Sequence, residues 1–319
     1  MDVVALGELL IDFTKNGISE QGNGMYEANP GGAPCNVLSI LQKLGHSTEF
    51  IGKVGKDSFG ELLKGAIEEQ GIGTKGLLFD EKVPTTLAFV HTKPDGDRSF
   101  SFYRSPGADM MIQKSEVSEE LIQSANIFHF GSLSMTSPQA EEATRHAVET
   151  AKKNHVLVSF DPNLRPPLWD SLDTAKEKIA YGLTQCDILK ISDNEIEFMT
   201  GEQDIEKGIQ IILEQYHIPL VCATMGKDGS KAFYKGNIIT GKPFHSDDTI
   251  ETTGAGDTFC GCMLHFVLTY GMEGLTPEVL KDMLEYANAG ACLVTTRKGA
   301  LRVMPSKEEI EAFMAGGSQ

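Results

Sequence analysis

TTGAGDTFCG, residues Thr252 to Gly261, carries two opposed instructions. Gly254, Ala255 and Gly256 read as a small-residue turn that opens a helix over Thr258 to Tyr270. A helix start attracts anions, because its first amides have no partner inside the helix and its dipole is positive there. Asp257, itself an anion, sits in the same turn. A phosphate on those amides and a carboxylate beside it repel by about 4 kcal/mol for unit charges about 4 Å apart in a dielectric of about 20. The pairing makes sense if the carboxylate has a proton to take. A general base next to a phosphoryl group can deprotonate an attacking hydroxyl while the amides stabilise the phosphate oxygens. The plain alternative is an acid favoured by the helix dipole alone. The fold depends on which nucleotide turn this is. No G-x-G-x-x-G follows the first apolar run, where a dinucleotide-binding fold requires it, and the chain has no GK[ST] phosphate loop.

Outward from that turn, the pattern alternates. Val3 to Leu10 reads as one buried strand, broken only by Gly7 and Glu8, with Asp12 just beyond its end. GGAPCNVLSILQKLG reads as a helix opened by glycines and closed at Gly45. Further strands are expected over Asn126 to Leu133, Val156 to Phe160, Ile188 to Ile191 and Leu220 to Thr224, and a short one around Ile250. Helices are expected from Ser137-Pro138 to about Lys153 and from Asp204 to Gln215. Strands alternating with helices predict an α/β fold: a three-layer, mostly parallel central sheet flanked by helices. In such a sheet, ligands bind beyond the carboxyl ends of the strands. Asp12, Asp161 to Asn163, Ser192 to Glu195 and Gly226 to Gly229 all follow expected strands and gather at that edge.

Two segments leave the alternation. Phe13 to Asn29 is polar and irregular, and Thr85 to Tyr103 reads as a β-hairpin around Pro94-Asp95-Gly96-Asp97. They form either an extra edge of the main sheet or a small β-lid over the site, from about 13–29 and 85–104. The lid is the reading adopted, because motif-rich segments flank both pieces. No internal repeat or linker divides the chain, so residues 1–319 are read as one domain.

The net charge of −17 offers no basic surface for DNA or RNA. Six cysteines without a C-x-x-C pair fit reduced thiols, and Cys260 with Cys262 has no second pair to complete a metal site. No basic leader and no apolar run of membrane-spanning length are present, so the expectation is a cytoplasmic protein without a membrane partner.

TTGAGDTFCG together with GGAPCNVLSILQKLGHSTEFIGKVG (Gly31 to Gly55) resembles the two signature segments of the ribokinase-like, or PfkB, family of sugar kinases. The order GELLID, GGAPCN, hairpin, DPN, S-x-x-E, TMGKDG and TTGAGD matches that family along essentially the whole chain. FYRSPGADM (Phe102 to Met110) and FDPNLRPPLW (Phe160 to Trp169) make it most similar to the fructokinases. The resemblance implies a kinase moving the γ-phosphoryl group of ATP to the 6-hydroxyl of fructose. A 2-keto-3-deoxygluconate kinase, a ribokinase or a nucleoside kinase of the same family, or a non-catalytic sugar or nucleotide sensor, are the alternatives.

It also implies roles for particular residues. Asp257 is the base, with Gly254, Ala255 and Gly256 as anion hole. Asp12, Gly31, Gly32 and Asn36 contact the sugar, and Arg104 and Arg165 lie near sugar or phosphate. Ser192, Thr224, Gly226, Lys227, Gly229 and Asn288 border the nucleotide. Glu195 helps place Mg²⁺ through water. Ser192 stands where the family more often has Asn. Glu251, where the family usually has Asp, and Thr253 match a monovalent-cation region, often K⁺. The lid's outer face often pairs two copies, and Phe89, Phe100 and Phe102 either serve that contact or face the body.

Overall fold

The computed structural model describes residues 1–92 and 98–316. In chain order its strands are β1 (Val3–Leu6), β2 (Leu10–Ile18), β3 (Gly24–Gly31), β4 (Thr48–Gly55), β5 (Gly73–Asp80), β6 (Leu87–Thr92), β7 (Arg98–Tyr103), β8 (Ile127–Gly131), β9 (Leu157–Asp161), β10 (Ile188–Ser192), β11 (Leu220–Thr224), β12 (Ser230–Tyr234) and β13 (Asn237–Gly241). The helices are α1 (Ala33–Lys43), α2 (Ser58–Glu69), α3 (Glu119–Gln123), α4 (Pro138–Lys153), α5 (Leu172–Gln185), α6 (Asp193–Thr200), α7 (Ile205–Tyr216), α8 (Ala255–Tyr270), α9 (Pro277–Val294) and α10 (Lys307–Gly316).

Among the described residues the strands form two sheets. The larger runs β13-β12-β11-β10-β9-β8-β1-β4-β5 and is parallel from β11 to β5, with β12 and β13 added antiparallel at one edge. Alternate side chains of one strand serve two cores, as the pleat requires. Val3 and Ala5 pack with α1, α2, α8 and α9, whereas Val4 and Leu6 pack with α4, α5 and α7. This is the expected three-layer ribokinase-like arrangement.

The smaller sheet, β3-β2-β6-β7, is separate from the larger one. It contains both segments that left the alternation, and β2 and β6 pair in parallel at its centre. The hairpin turn residues Pro94, Asp95, Gly96 and Asp97 lie outside the described residues.

Three local expectations are corrected. Val3 to Leu10 is not one strand: β1 ends at Leu6, and the chain turns at Gly7 to start β2 at Leu10. A Cβ on Gly7 would meet Pro34 Cγ at 2.6 Å, and the Glu8 carboxylate accepts the Ala33 amide at 3.0 Å. The break therefore docks on the start of α1. Asp12 accordingly lies within β2 of the small sheet and not at the end of the first strand. Around Ile250 there is no strand: the Ile250 and Glu251 amides donate to the Thr295 carbonyl just past α9, at 2.8 and 3.1 Å.

Helices α1 and α8 cross closely because Gly261 has no side chain: a Cβ there would lie 2.2 Å from Ile40 Cγ2 and 3.1 Å from the Val37 carbonyl. Gly261→Val overpacks this crossing and should lower stability by about 1–3 kcal/mol, read as a melting temperature several degrees below the parent.

Candidate active site

Two cavities meet at the start of α8. One, of about 530 Å³, is walled by the small sheet through Asp12, Thr14, Val90 and Phe102, and by the ends of β9 and β10. The other, of about 350 Å³, lies between the Thr224–Gly229 turn, residues 243–249 and α9. Thr252 and Gly256 line both. Gly254, the residue before α8, has φ 78°, a left-handed conformation that suits glycine, and a Cβ there would meet Ala300 Cβ at 2.7 Å. No side chain caps α8, and of its first amides that of Ala255 donates to the Thr252 carbonyl at 3.3 Å.

Asp257 is buried in this first turn, and its Oδ2 accepts from Asn36 Nδ2 of α1 at 2.8 Å. Burial pushes its carboxyl up, while Asn36, Lys190 and Arg165 pull it back down. The sequence reading placed Asn36 against the ligand. The structure adds that its amide nitrogen holds Asp257, while its buried carbonyl oxygen has no protein partner among the described residues. Asp12 faces the first cavity, and a Cβ on Gly31 would lie 2.5 Å from its Oδ2. Gly32, at φ 132°, would place a Cβ 2.4 Å from the Glu8 carbonyl. Loss of solvation pushes the Asp12 carboxyl up to about 7, with Arg165 opposing and Glu251 and Asp257 adding to the rise.

The two arginines differ. Arg165 is exposed over the first cavity, within electrostatic reach of Asp12 and Asp257. Arg104 also borders that cavity but is buried, bound to Asp109 at 2.7 Å, to Thr136 at 2.7 Å and to the Leu133 carbonyl at 3.1 Å. It ties the end of β7 to the body, and its guanidinium is engaged there although the residue borders the cavity, as the resemblance implied. Glu195 lines the cavity with its oxygens already engaged: they accept from the Leu164 amide at 2.8 Å and from the Ser192 amide and hydroxyl at 2.9 and 2.8 Å. S-x-x-E is a capping box for α6, a signal legible in the sequence.

Thr224, Gly226, Lys227 and Gly229 line the second cavity together with Ala255 and Asn288, though Asn288 also donates to the Lys242 carbonyl at 2.9 Å. Glu251 and Thr253 border the first, and Glu251 Oε1 accepts the Gly299 amide at 2.7 Å. Phe89 and Phe102 occupy opposite faces of the small sheet. Phe102 lines the cavity, and Phe89 stacks outside on Phe13 with ring centroids 4.8 Å apart. The Phe100 side chain lies outside what the structure describes. Sequence reasoning missed two charged residues of the first cavity, Glu8 and Lys190. Lys190 is buried and paired with Asp161 at 3.1 Å. Charged letters inside apolar strand-like runs were the available signal.

The pattern of the pfkB family of carbohydrate kinases matches residues 1–307. The chain belongs to this family. It is 38% identical to probable fructokinase-2 of Arabidopsis thaliana over 314 residues, covering 98% of this chain and 95% of that protein. It is also 38% identical to fructokinase-2 of Solanum lycopersicum, covering 99% and 97%. Among solved structures, a fructokinase with bound ATP from Xylella fastidiosa superposes with a TM-score of 0.90 at 29% identity, covering 100% of this chain and 99% of that one. A fructokinase from Vibrio cholerae O395 with fructose, ADP and calcium ion bound has a TM-score of 0.89 at 29% identity, covering 98% and 99%.

For a carbohydrate kinase the raised carboxyl of Asp12 has a readable consequence. The ionised carboxylate accepts from two hydroxyls with charge-assisted strength and protonation weakens that grip, so acceptor KM should be lowest above pH 7 and rise as pH falls through about 7. Initial rates against acceptor concentration across pH check this, and Asp12→Asn should raise KM and flatten the dependence. Gly31→Ala, which drives a methyl into the Asp12 carboxylate, should raise acceptor KM about tenfold or more while leaving KM for the nucleotide near the parent value.

Proposed function

We propose that the chain is an ATP-dependent fructokinase that yields fructose 6-phosphate and ADP. The observation that carries this reading is the junction at α8, where two cavities share Thr252 and Gly256, with Asp257 buried beside them. The choice of sugar draws on the names of the relatives, and of a neighbour bound to fructose and ADP.

Fructose lies in the first cavity against Asp12, Gly31, Gly32 and Asn36, with Arg165 above and Arg104 at the edge. ATP lies in the second cavity along Thr224, Gly226, Lys227, Gly229 and Asn288, and Ser192, which lines the first cavity, is left to its phosphate end. Asp257 takes the proton of the attacking hydroxyl, whose oxygen bonds to the γ-phosphorus as the bond to the bridging oxygen breaks and its electron pair leaves with ADP. The amides of Gly254, Ala255 and Gly256 steady the phosphoryl oxygens. The small sheet excludes water, which would otherwise compete with the sugar.

Among the described residues no group of three or more His, Cys, Asp or Glu forms a ready cation cage. That suits Mg²⁺, which keeps several waters and binds mainly through nucleotide phosphates. Glu195, which lines the first cavity while its oxygens accept from Leu164 and Ser192, is the carboxylate we assign to it through water. Glu251 and Thr253 are the residues we assign to K⁺. All six cysteines are free thiols, in keeping with a reducing cytoplasm, and no described helix is long and apolar enough to cross a membrane. The outer face of the small sheet carries exposed Ile18, Tyr26 and Tyr103 around Phe89, and we assign it to a homodimer contact.

An ADP-release assay with Mg·ATP over fructose, ribose, 2-keto-3-deoxygluconate and adenosine should give the highest kcat/KM on fructose. Asp257→Asn should lower kcat by about 10²–10⁴-fold. A preference for another sugar overturns the substrate and leaves the kinase standing; ATP binding without turnover on any acceptor favours the sensor. Tyr103→Glu should convert the dimer to a monomer in sedimentation, and a parent that sediments as a monomer removes the dimer assignment.

A further inference from the structure

Lys190 occupies a position where the fold would ordinarily place an apolar side chain. Ile188, two residues earlier on β10, packs in the core shared with α8, so the alternation of the strand points Lys190 at α8 as well. Its side chain is buried, as is that of Asp161 on the neighbouring β9, and the two meet at 3.1 Å. A buried ion pair is a poor way to join strands, since apolar side chains of similar size commonly do so as well or better. β9 and β10 are in any case already paired in the ladder.

The ammonium lies where the phosphoryl group is handled. A Cβ on Gly256 would lie 3.0 Å from Lys190 Nζ, so the glycine of the anion-binding turn is also what lets the cation approach it. Lys190 lines the acceptor cavity, and Asp161 is its sole hydrogen-bond partner among the described residues. Around Asp257 the charged and titratable groups are Lys190 of β10, Asp161 of β9, Asp12 of β2, Arg165 of the loop after β9, Glu8, His129 of β8 and Cys260 of α8, with the Asn36 amide of α1 donating to it. Arg165 is exposed, and Lys190 is the cation enclosed beside it. Burial opposes the charge on Lys190, yet Asp161 and Glu195 hold its amine protonated well above the ordinary lysine range.

We propose that Lys190 is a positioning residue for phosphoryl transfer: locked by Asp161 behind Gly256, its ammonium is a fixed positive charge that keeps Asp257 ionised and offsets the charge gathered at the turn. It acts through Asp257 and the turn. The inference rests on the kinase reading above, and it leaves the proton with Asp257 and the electron pair with ADP as written there.

Two substitutions with opposite electrostatic sense test it. Lys190→Met removes the cation. Its kcat should fall about 10²-fold, the scale of losing one preorganised electrostatic group, with both KM values within about threefold of the parent. The acid limb of its kcat–pH profile should move to higher pH, because Asp257 is then harder to ionise. Asp161→Asn keeps the cation and removes its counter-charge, so its acid limb should move to lower pH. Limbs that stay in place in both variants, with activity lost only in step with melting temperature, would show a merely structural pair and overturn the proposal. If Lys190→Met does not fold, the Asp161→Asn limb decides alone: a downward move supports the proposal, and no move or an upward one refutes it. Failure of the kinase reading shows separately, as a parent protein that turns over no acceptor.

Discussion

A carboxylate that must take a proton beside a phosphate has to be held still in a place that disfavours it, and the rest of this structure follows from that requirement. Asp257 is buried in the first turn of a helix whose amides favour anions, beside the turn we assign to the transferred phosphoryl group. Left mobile, it would swing away from the phosphoryl oxygens. It is fixed by the Asn36 amide at 2.8 Å, and Asn36 is on α1, more than two hundred residues away in the chain. That single hydrogen bond sets how α1 must lie on α8, and Gly261 is the residue that lets it lie so close.

The same logic joins the small sheet to the body. The break at Gly7 ends β1 and starts β2, and at the break Glu8 holds the Ala33 amide at the start of α1. The backbone of Gly32 then passes so near the Glu8 carbonyl that a Cβ would fall at 2.4 Å. The acceptor wall carried by β2, with Asp12 on it, and the helix that fixes the base are thus built from one joint. A shift of the small sheet at that joint moves Asp12 relative to Asp257. On the far side, the bond from Arg104 to Asp109 and Thr136 anchors the end of β7.

What the sequence disclosed was whatever repeats locally. β11 was legible to the residue and β9 and β10 to within one or two, because apolar runs bounded by polar clusters leave little freedom. The fold class and the clustering of site segments at one edge followed from that alternation. Less legible was anything decided by contact at a distance. The run from Val3 to Leu10 looks continuous until Pro34 is known to sit against Gly7. Ile250 looks like a strand until the Thr295 carbonyl is seen to take its amide at 2.8 Å. The partner of Arg104 is not legible, because Asp109 is five letters away in a segment with no periodicity of its own. Ser192 and Glu195 were legible as a capping box, and the search for ligands drew the reading elsewhere.

Net charge is the coarsest of these signals and the one the site contradicts most directly. A chain at −17 repels polyphosphates at long range, yet long-range repulsion is screened within about 10 Å at ordinary ionic strength. Inside the cleft the near field decides, and there the balance is set by helix amides, by exposed Arg165 and by buried Lys190. Amides and a buried ammonium share one property that surface cations lack: they cannot relax away from an anion, so their orientation is settled before the ligand arrives. An acidic protein that handles phosphate therefore has to concentrate its positive potential where folding fixes it. Lys190, a charged letter that interrupts the otherwise apolar run of β10, is where the sequence shows this.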